Sequence, residues 1–217
     1  MTAREAIFGA IGAAGERAVA DEAAIAAAAA GLLARCAPTR PAQGAGTARE
    51  IFLRRLRSPA LGASVAAVGR AAEVPDAVRR HLAAAGLAPV VALQPHPALR
   101  ALDWSGFDVR PAIAIDETAA VGWAHGGIAE TGSLVFRSGP DSPTLFAFLP
   151  LHHIVVVPAR RIRPWLEDYA TLEAGEAWPR NLTLVTGPSG TTDIEGRLVR
   201  GAHGPAHLHV LVLDEGG

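Results

Sequence analysis

The residues best suited to bind a ligand form one loop segment, residues 187–195. A run rich in β-forming residues, 182–186, precedes the segment and predicts a buried strand, which Gly187-Pro188 ends. The hydroxyl and carboxyl groups that follow are typical of a helix start, because the first amide groups of a helix have no partner within it. A strand, a glycine loop and a helix N-terminus together form an anion-binding pocket. The segment predicts either such a pocket or a well-capped turn without a ligand.

We expect most residues of this loop to contact the ligand. The predicted binding residues are Gly187, Pro188, Ser189, Gly190, Thr191, Thr192, Asp193 and Glu195. Because Asp193 and Glu195 are two positions apart, they would not share a helix face. Acidic residues in a first helical turn also interact favourably with the helix dipole, so their presence alone does not require a ligand.

A second group of polar residues, Glu130-Thr131-Gly132-Ser133, lies at a predicted turn between two strands. A carboxylate beside a glycine at a sharp turn is well placed to reach a substrate, so Glu130 is the candidate nucleophile or base. Thr131, Gly132 and Ser133 are predicted to line the same site. The alternative is a plain turn in which Glu130 is solvated and the hydroxyl groups bond the backbone.

Histidines are frequent in the second half of the chain, at positions 152, 153, 203, 207 and 209. A zinc site needs three or four converging ligands, and no H-E-x-x-H or similar spacing is present, so core and loop histidines are the favoured interpretation. His203 lies in a turn beyond the predicted helix and is expected to return toward the loop as a donor or base. Trp123 and His125 form one wall of the same cleft, or else a core tryptophan precedes a hairpin.

Composition excludes several kinds of chemistry. The single cysteine, Cys36, cannot form an internal disulfide, and an iron–sulfur cluster bound by this chain alone would need several thiolates. The chain contains no lysine, which excludes Schiff-base chemistry and the lysine of a phosphate-binding P-loop. The net charge is −1 and the arginines are scattered, so no nucleic-acid-binding face is indicated. We expect no metal or cofactor bound by the chain itself.

The first 46 residues are predicted to be a helical segment followed by a linker. Thr2 and Glu5 form a capping box, a helical pattern with glycine interruptions runs to about residue 37, and a Pro- and Gly-rich stretch follows. This segment is expected to pack on a partner, on a second copy of the chain, or loosely on the body. No apolar run reaches the roughly 18–20 residues of a membrane helix, and no signal-peptide pattern is present, which favours a cytoplasmic protein.

Residues 47–217 are predicted to form one α/β domain. Helices are expected to start at Thr47, near Pro75 (with Val78, Leu82 and Ala85 facing inward), at Ser142, over 162–170 and after Ser189; strands are expected at 64–68, 89–93, 107–109, 118–123, 133–137, 153–157, 182–186 and 208–213. Strands that alternate with helices indicate a sheet that is largely parallel. The near-continuous apolar run at 153–157 indicates a strand covered on both faces.

Several of these motifs, in this order, resemble the LUD-domain family and most closely its lactate-utilisation protein C branch. They are I-A-E-T-G-S-L-V at 128–135, Leu149-Pro150, H-I-V-V-V at 153–157, T-G-P-S-x-T-x-D-I-E at 186–195, G-x-H-G-P at 201–205 and L-H-V at 208–210. The resemblance is firm over roughly the second half of the chain and weaker at 47–56, 74–75 and 102–104. Gly190 departs from many relatives, which have a basic residue or alanine there, so the loop lacks a side-chain cation.

The resemblance implies a three-layer α/β fold like that of the ribose-phosphate isomerase, glucosamine-phosphate deaminase and CoA-transferase group. It also implies a role in the bacterial oxidation of L-lactate to pyruvate, together with partner proteins that bind iron–sulfur clusters. The single cysteine agrees with a subunit that holds no cluster of its own. On this interpretation a small carboxylate or a partner binds at the 187–195 loop, and a homo-oligomer is an open expectation.

Two other functions are compatible with the same residues. The first is a stand-alone enzyme of the CoA-transferase or sugar-phosphate class with Glu130 as nucleophile or base, although a fold does not determine a function. The second is a regulatory or scaffold protein whose N-terminal helical segment is the working surface.

Overall fold

The computed structural model describes residues 2–15, 21–36, 40–169, 177–192 and 195–214. The chain divides into two compact units, Met1–Ala42 and Gln43–Gly217. The first unit contains helices α1 (Ala3–Gly15) and α2 (Glu22–Cys36). None of the helices in the described part of the chain has both the length and the hydrophobicity needed to cross a membrane.

The second unit alternates strands and helices along most of its length. Its described helices are α3 (Ala48–Leu56), α4 (Val74–Ala84) and α5 (Pro97–Arg100). Its described strands are β1 (Ser64–Val68), β2 (Val90–Leu93), β3 (Asp108–Arg110), β4 (Ala119–Trp123), β5 (Gly126–Ile128), β6 (Ser133–Arg137), β7 (His152–Pro158), β8 (Ile162–Arg163), β9 (Leu182–Val185), β10 (Gly190–Thr192), β11 (Leu198–Arg200) and β12 (His207–Leu213).

Six strands form a parallel sheet in the order β1-β12-β7-β4-β2-β3. Four more strands form a second sheet in the order β8-β5-β6-β9, and β10 and β11 form an antiparallel hairpin. The predicted α/β fold with a largely parallel sheet is confirmed. The more specific likeness to the isomerase, deaminase and CoA-transferase group stays a prediction.

The parallel sheet is covered on both faces, as the apolar run in β7 predicts. Val155 and Val157 pack in one cluster with α3 and with the second sheet. Ile154 and Val156 point the other way and pack in a separate cluster with α4. Each fully buried side chain of this kind contributes roughly 1.5–3 kcal/mol relative to an exposed one. The alternation along one strand therefore holds two opposite layers against the sheet.

The helix ends follow local rules that the sequence shows. The predicted helix start at Thr47 is confirmed: the Thr47 side chain accepts a hydrogen bond from the Glu50 amide while the Glu50 carboxylate accepts one from the Thr47 amide, which forms a capping box. The same reciprocal pair joins Thr2 and Glu5 before α1. Pro75 lies in the first turn of α4, and Gly86 follows the helix with φ +69°.

Two predicted helices are wrong. Residues 162–163 form β8, which pairs with β5 instead of starting a helix, because a residue before proline, here Arg163, avoids the helical region. No helix follows Ser189: Gly190–Thr192 is β10 and pairs with β11. Consecutive β-branched threonines favour a strand. The rest of the predicted 162–170 helix beyond residue 169 lies outside the described residues.

Smaller differences concern helix faces and caps. Ala85 is exposed rather than buried, whereas Val78 and Leu82 are buried as predicted. Ser142 does not cap a helix; a short 3-10 helix at Thr144–Ala147 begins after Pro143 and has no side-chain cap.

Candidate functional site

The order of the parallel strands locates the best place for a ligand. From β2 the chain continues outward to β3, whereas from β4 it continues the other way through β7 to β12. The carboxyl ends of β2 and β4 are therefore neighbours whose connections diverge. In open α/β sheets, ligands bind in the crevice at such a switch point.

A cleft of about 700 Å³ lies at this edge of the sheet. The residues that follow β2, β4, β6 and β7 line it, together with the residues before Asn181: His96, Ala98, Trp123, His125, Arg137, Ser138, Gly139, Pro140, Asp141, Ser142, Pro158, Arg160, Arg161, Ala177, Trp178, Pro179 and Arg180. Below, we call this set the arginine cleft. The cleft brings together side chains from distant parts of the chain.

Gln94, fully buried after β2, ties the floor of the arginine cleft together. Its side-chain oxygen accepts a hydrogen bond from the amide of Trp123 at 2.8 Å, and its side-chain nitrogen donates to the carbonyl of Asp141 at 3.0 Å. One amide side chain thus connects the ends of β2 and β4 with the loop after β6. A buried amide that satisfies both neighbours holds these segments in one arrangement.

His96 and Trp123 form one wall of the arginine cleft. The Nδ1 atom of His96 accepts a hydrogen bond from the amide of Ala98, at the start of α5, and its ring stacks on Trp123 with centroids 4.9 Å apart. Burial lowers the pKa of His96 below its ordinary value, and the carboxylate of Asp141 opposes this shift. The imidazole is therefore a neutral, fixed surface at pH 7.

His125 orients one of the arginines. The Nε of Arg161 donates to the His125 carbonyl, and its Nη2 atom lies 2.5 Å from the His125 Nε2 atom. A guanidinium group can only donate, so His125 Nε2 is the acceptor and the ring proton resides on Nδ1. This pairing gives the Arg161 guanidinium a defined direction.

The arginine cleft carries an excess of positive charge. Among the described residues, four guanidinium groups and one carboxylate line it. Arg137 donates to the Ala177 carbonyl. Arg160 and Arg180 make no hydrogen bond or ion pair with any described residue. Unpaired guanidinium groups bind carboxylates and phosphates through two parallel hydrogen bonds, so the site is suited to an anion.

The two segments predicted from the sequence do lie side by side. Ser133 Oγ is 2.6 Å from Thr131 Oγ1 and 2.5 Å from Thr186 Oγ1, so a chain of hydroxyl groups joins the β5–β6 turn to the end of β9. A Cβ added to Gly132 would meet the Leu61 side chain at 3.2 Å, and one added to Gly187 would meet the Leu61 carbonyl at 2.6 Å. Both glycines therefore permit a close approach to the same residue.

The predicted helix N-terminus, however, does not exist, and the protein itself occupies the loop. The amide of Ser189 donates to the Pro205 carbonyl at 2.7 Å, and its carbonyl accepts from the amide of Gly201. Its hydroxyl accepts from the amide of His203 at 3.3 Å, so His203 does return to the loop as predicted, but its side chain is exposed. Whether the loop binds a ligand stays a prediction.

The acidic candidates lie apart from the arginine cleft. Glu130 is half-buried, and its Oε2 atom accepts from the amide of Leu166 at 3.5 Å. Glu195 is exposed at the β10–β11 turn, and Asp193 lies outside the described residues. The predicted binding roles of Asp193 and Glu195, like the predicted catalytic role of Glu130, stay predictions. Trp123 and His125 do line a cleft, but it contains neither Glu130 nor the 187–195 loop.

Sequence reasoning missed the arginines of the cleft. The useful signal was the position of Arg160 and Arg161, which follow the buried parallel strand β7. Charged residues directly after buried parallel strands lie at the ligand-binding edge. Because the arginines are scattered along the sequence, they resemble ordinary solvent-exposed residues.

The opposite edge of the sheet holds a second polar group, which we call the histidine quartet: His81, His152, His207 and His209. The rings of His81 and His209 stack at 4.0 Å, and those of His152 and His207 at 4.2 Å. Ser64 Oγ lies 2.7 Å from the Nδ1 atom of His209. Burial, with a smaller contribution from His81, lowers the pKa of His209 to about 3. Among the described residues, no three His, Cys, Asp or Glu side chains are arranged to hold a metal ion.

Comparison with known proteins gives a consistent picture. The model of the LUD domain matches residues 52–213. Lactate utilization protein C of Geobacillus kaustophilus is 32% identical over 168 residues, 66% of this chain and 70% of that protein. The protein of the same name from Anoxybacillus flavithermus is 30% identical over 114 residues, 52% of each chain, so the match spans about half of that relative. A crystal structure of a DUF162 family protein from Deinococcus radiodurans has a TM-score of 0.55 and 26% identity, covering 78% of this chain and 99% of that one.

Proposed function

Because the chain belongs to the LUD domain family, we propose that it acts in lactate utilisation, as a subunit of a system that oxidises L-lactate to pyruvate. The support is its similarity, at about 30% identity, to relatives named lactate utilization protein C. The match covers about half of the first of these relatives. The activity of the whole system and the partners of this subunit are therefore part of the proposal.

The proposed subunit works beside iron–sulfur proteins rather than as one. The sequence contains one cysteine, and a cluster needs several thiolate ligands. Electron transfer through clusters would then take place in partner proteins. This arrangement agrees with the resemblance in sequence and predicts a physical complex between this subunit and the iron–sulfur proteins.

The proposed contribution of this subunit is to bind an organic anion in the arginine cleft. One observation carries this: the guanidinium groups of Arg160 and Arg180 have no partner among the described residues at the switch point of the sheet. Both side chains are exposed and free to donate, and a carboxylate or phosphate group accepts two parallel hydrogen bonds from a guanidinium group.

Deleting the gene tests the role in lactate utilisation. We expect the deletion to abolish growth on L-lactate as sole carbon source while growth on pyruvate is retained, and the wild-type gene to restore it. Affinity purification of the chain from lactate-grown cells is expected to recover iron–sulfur proteins. Normal growth of a clean deletion on L-lactate would contradict the proposal.

A second candidate function is a stand-alone transferase or isomerase that uses Glu130. The observation that favours it is the chain of hydroxyl groups Thr131, Ser133 and Thr186, which joins the Glu130 turn to the glycine loop. Glu130→Gln removes the ionisable group while keeping its size. If acyl-transfer and sugar-phosphate isomerase activities of the protein are the same in this variant, Glu130 is not a catalytic residue.

A further inference from the structure

The size, charge and aromatic walls of the arginine cleft restrict the anion it can take. We infer that the ligand is a nucleoside polyphosphate, an organic molecule with two or more phosphate groups and a flat aromatic base. The inference rests on the proposed function only in using the same cleft as the anion site. Each of three independent features of the cleft points to this class.

The first feature is volume. The cleft measures about 700 Å³. Pockets of 300–1,000 Å³ enclose drug-sized ligands, and a three-carbon acid occupies roughly 100 Å³, a few times the volume of one water molecule. A monocarboxylate alone would leave most of the cleft filled with water. A ligand of nucleotide size would fill it.

The second feature is the number of cations. Among the described residues that line the cleft, Arg160, Arg161 and Arg180 lie with one carboxylate, that of Asp141, beside Arg137, which donates to the Ala177 carbonyl. One carboxylate group on a ligand would neutralise a single guanidinium group. A diphosphate presents several oxygens over a longer span, and each phosphate accepts two hydrogen bonds from one guanidinium group. Arg160 and Arg180 are the two that are free to make such contacts.

The third feature is the pair of aromatic surfaces. Trp178 is 70% exposed, a large fraction for this residue type, and lies within the cleft beside Pro179 and Arg180. Trp123, stacked on His96, forms a second flat surface. Aromatic side chains that are left open to solvent in a basic groove stack on nucleotide bases. An exposed tryptophan next to an unpaired arginine is the arrangement that a base linked to phosphates requires.

Calorimetric titration of the full chain with four probes tests the inference: ADP, pyrophosphate, adenosine and L-lactate. We expect ADP to bind at least 10-fold more tightly than pyrophosphate or adenosine, because only ADP engages both the arginines and the tryptophan. L-Lactate is expected to bind more weakly than all three. Equal affinity for ADP and pyrophosphate would overturn the role of the base, and tightest binding of L-lactate would overturn the ligand class.

Variants of exposed residues separate the two parts of the ligand. Arg160→Ala/Arg180→Ala is expected to weaken both ADP and pyrophosphate by about 30-fold or more. Trp178→Ala is expected to weaken ADP about 10-fold, the loss typical of one stacked base, and to leave pyrophosphate unchanged, whereas Trp178→Phe retains most of the affinity for ADP. Arg80→Ala, on the exposed surface of α4, is the matched control and should change neither. ADP binding that is insensitive to all cleft variants would refute the site.

The inference and the proposed function fail separately. If the deletion strain cannot grow on L-lactate but the protein binds no nucleotide, the ligand class is wrong and the role in lactate utilisation stands. If the strain grows normally and ADP binds with the expected dependence on Arg160, Arg180 and Trp178, the ligand class stands and the role does not.

Discussion

The two edges of the parallel sheet use polar side chains in opposite ways. At the carboxyl ends of β2, β4 and β7, arginines line a large cleft. At the amino ends of β7 and β12, the histidine quartet stacks ring on ring, with burial as the main cause of the lowered pKa of His81, His152 and His209. The neutral imidazoles pack against one another. The guanidinium groups of Arg160 and Arg180 are exposed and have no partner among the described residues, so the arginine edge is the one suited to an anion.

The two edges show which polar clusters indicate function. Histidines are common metal ligands, yet the rings of the quartet stack in pairs, and among the described residues no group of His, Cys, Asp or Glu is arranged for a metal. No short sequence motif indicates the arginine cleft. Whether a polar cluster indicates a ligand depends on the partners of its side chains within the protein rather than on the residue types. A polar group that already has a partner has no need of a ligand.

The largest expected effect is on the floor beneath the arginine cleft. A Cβ on Gly122 of β4 would lie 2.6 Å from the Nε2 atom of His153 and 3.0 Å from the Oε1 atom of Gln94. The ring of His153 is fully buried, and Gln94 is fixed by hydrogen bonds, so neither can move away cheaply. Gly122→Ala should lower the free energy of unfolding by about 3 kcal/mol, as measured by urea denaturation. Gly139→Ala, with nothing within 4 Å of the added carbon, is the control. Equal stability of the two variants would contradict the packing described for this floor.

Acid should act through the buried histidines, which are His209 at the opposite edge and His153 beneath the arginine cleft, because burial lowers the pKa of each to about 3. The folded state keeps His209 neutral, with a pKa of about 3, whereas the unfolded chain binds the proton near pH 6.5. Stability is therefore retained above about pH 6.5 and falls toward pH 3, by about 1.4 kcal/mol per pH unit for this histidine. His209→Gln should reduce that slope by about this amount between pH 6 and 4. Unfolding curves at each pH provide the measurement.

Ser64→Ala is the matched control for the acid experiment. It removes the hydroxyl group next to His209 but leaves the titrating ring in place. We expect a loss of about 1 kcal/mol at every pH, with the slope unchanged. A slope that is the same in His209→Gln as in the wild type would show that the quartet does not hold this histidine neutral.

Orientation of Arg161 should matter only to ligand binding. His125→Leu removes the side-chain acceptor for Arg161 Nη2 and leaves the backbone contact to its Nε. The affinity for ADP should fall about 10-fold, the value of one hydrogen bond to a charged group, in a calorimetric titration. His207→Gln, in the histidine quartet, should leave the affinity unchanged. If both variants behave alike, the two edges are not functionally distinct.

The sequence allowed much of the fold to be predicted, and the reasons are local. The strands at Ser64–Val68 and Ser133–Arg137 have the predicted bounds, and the predicted capping box of Thr2 and Glu5 follows from two residues three positions apart. The candidate site was harder to predict from the sequence. Arg137, Arg161 and Arg180 meet only after the strand order has brought the ends of separate strands together, and no short pattern encodes that order.

The wrong helix predictions have the same origin. A polar start with threonine and aspartate after Ser189 satisfies the local rules for a helix, but pairing of Gly190–Thr192 with Leu198–Arg200 and bonding of Ser189 to Pro205 prevail. Tertiary contacts override local preference where the preference is weak. The error at 162–163 falls in a segment that pairs with the distant strand β5, whereas the error after Ser189 falls in one strand of a local hairpin.

The smallest effect is expected from salt, which should act on ligand binding at the arginine edge and not on the histidine edge. Attraction between exposed arginines and a phosphate is screened within about 10 Å at 0.1 M salt. Raising sodium chloride from about 0.05 M to about 0.5 M should weaken ADP binding several-fold, as in other charge-steered sites. The pH slope due to the buried His209 should not change. An affinity for ADP that is independent of salt would argue against the guanidinium groups as its main partners.

Growth on L-lactate of a deletion strain that carries variant genes, at matched protein levels, tests the central claim most directly. The claim is that the arginine edge, and not the histidine edge, performs the function of the protein. We predict that Arg160→Ala/Arg180→Ala fails to restore growth, whereas His207→Gln restores it to the rate of the wild type. Full growth with the double arginine variant would contradict the account.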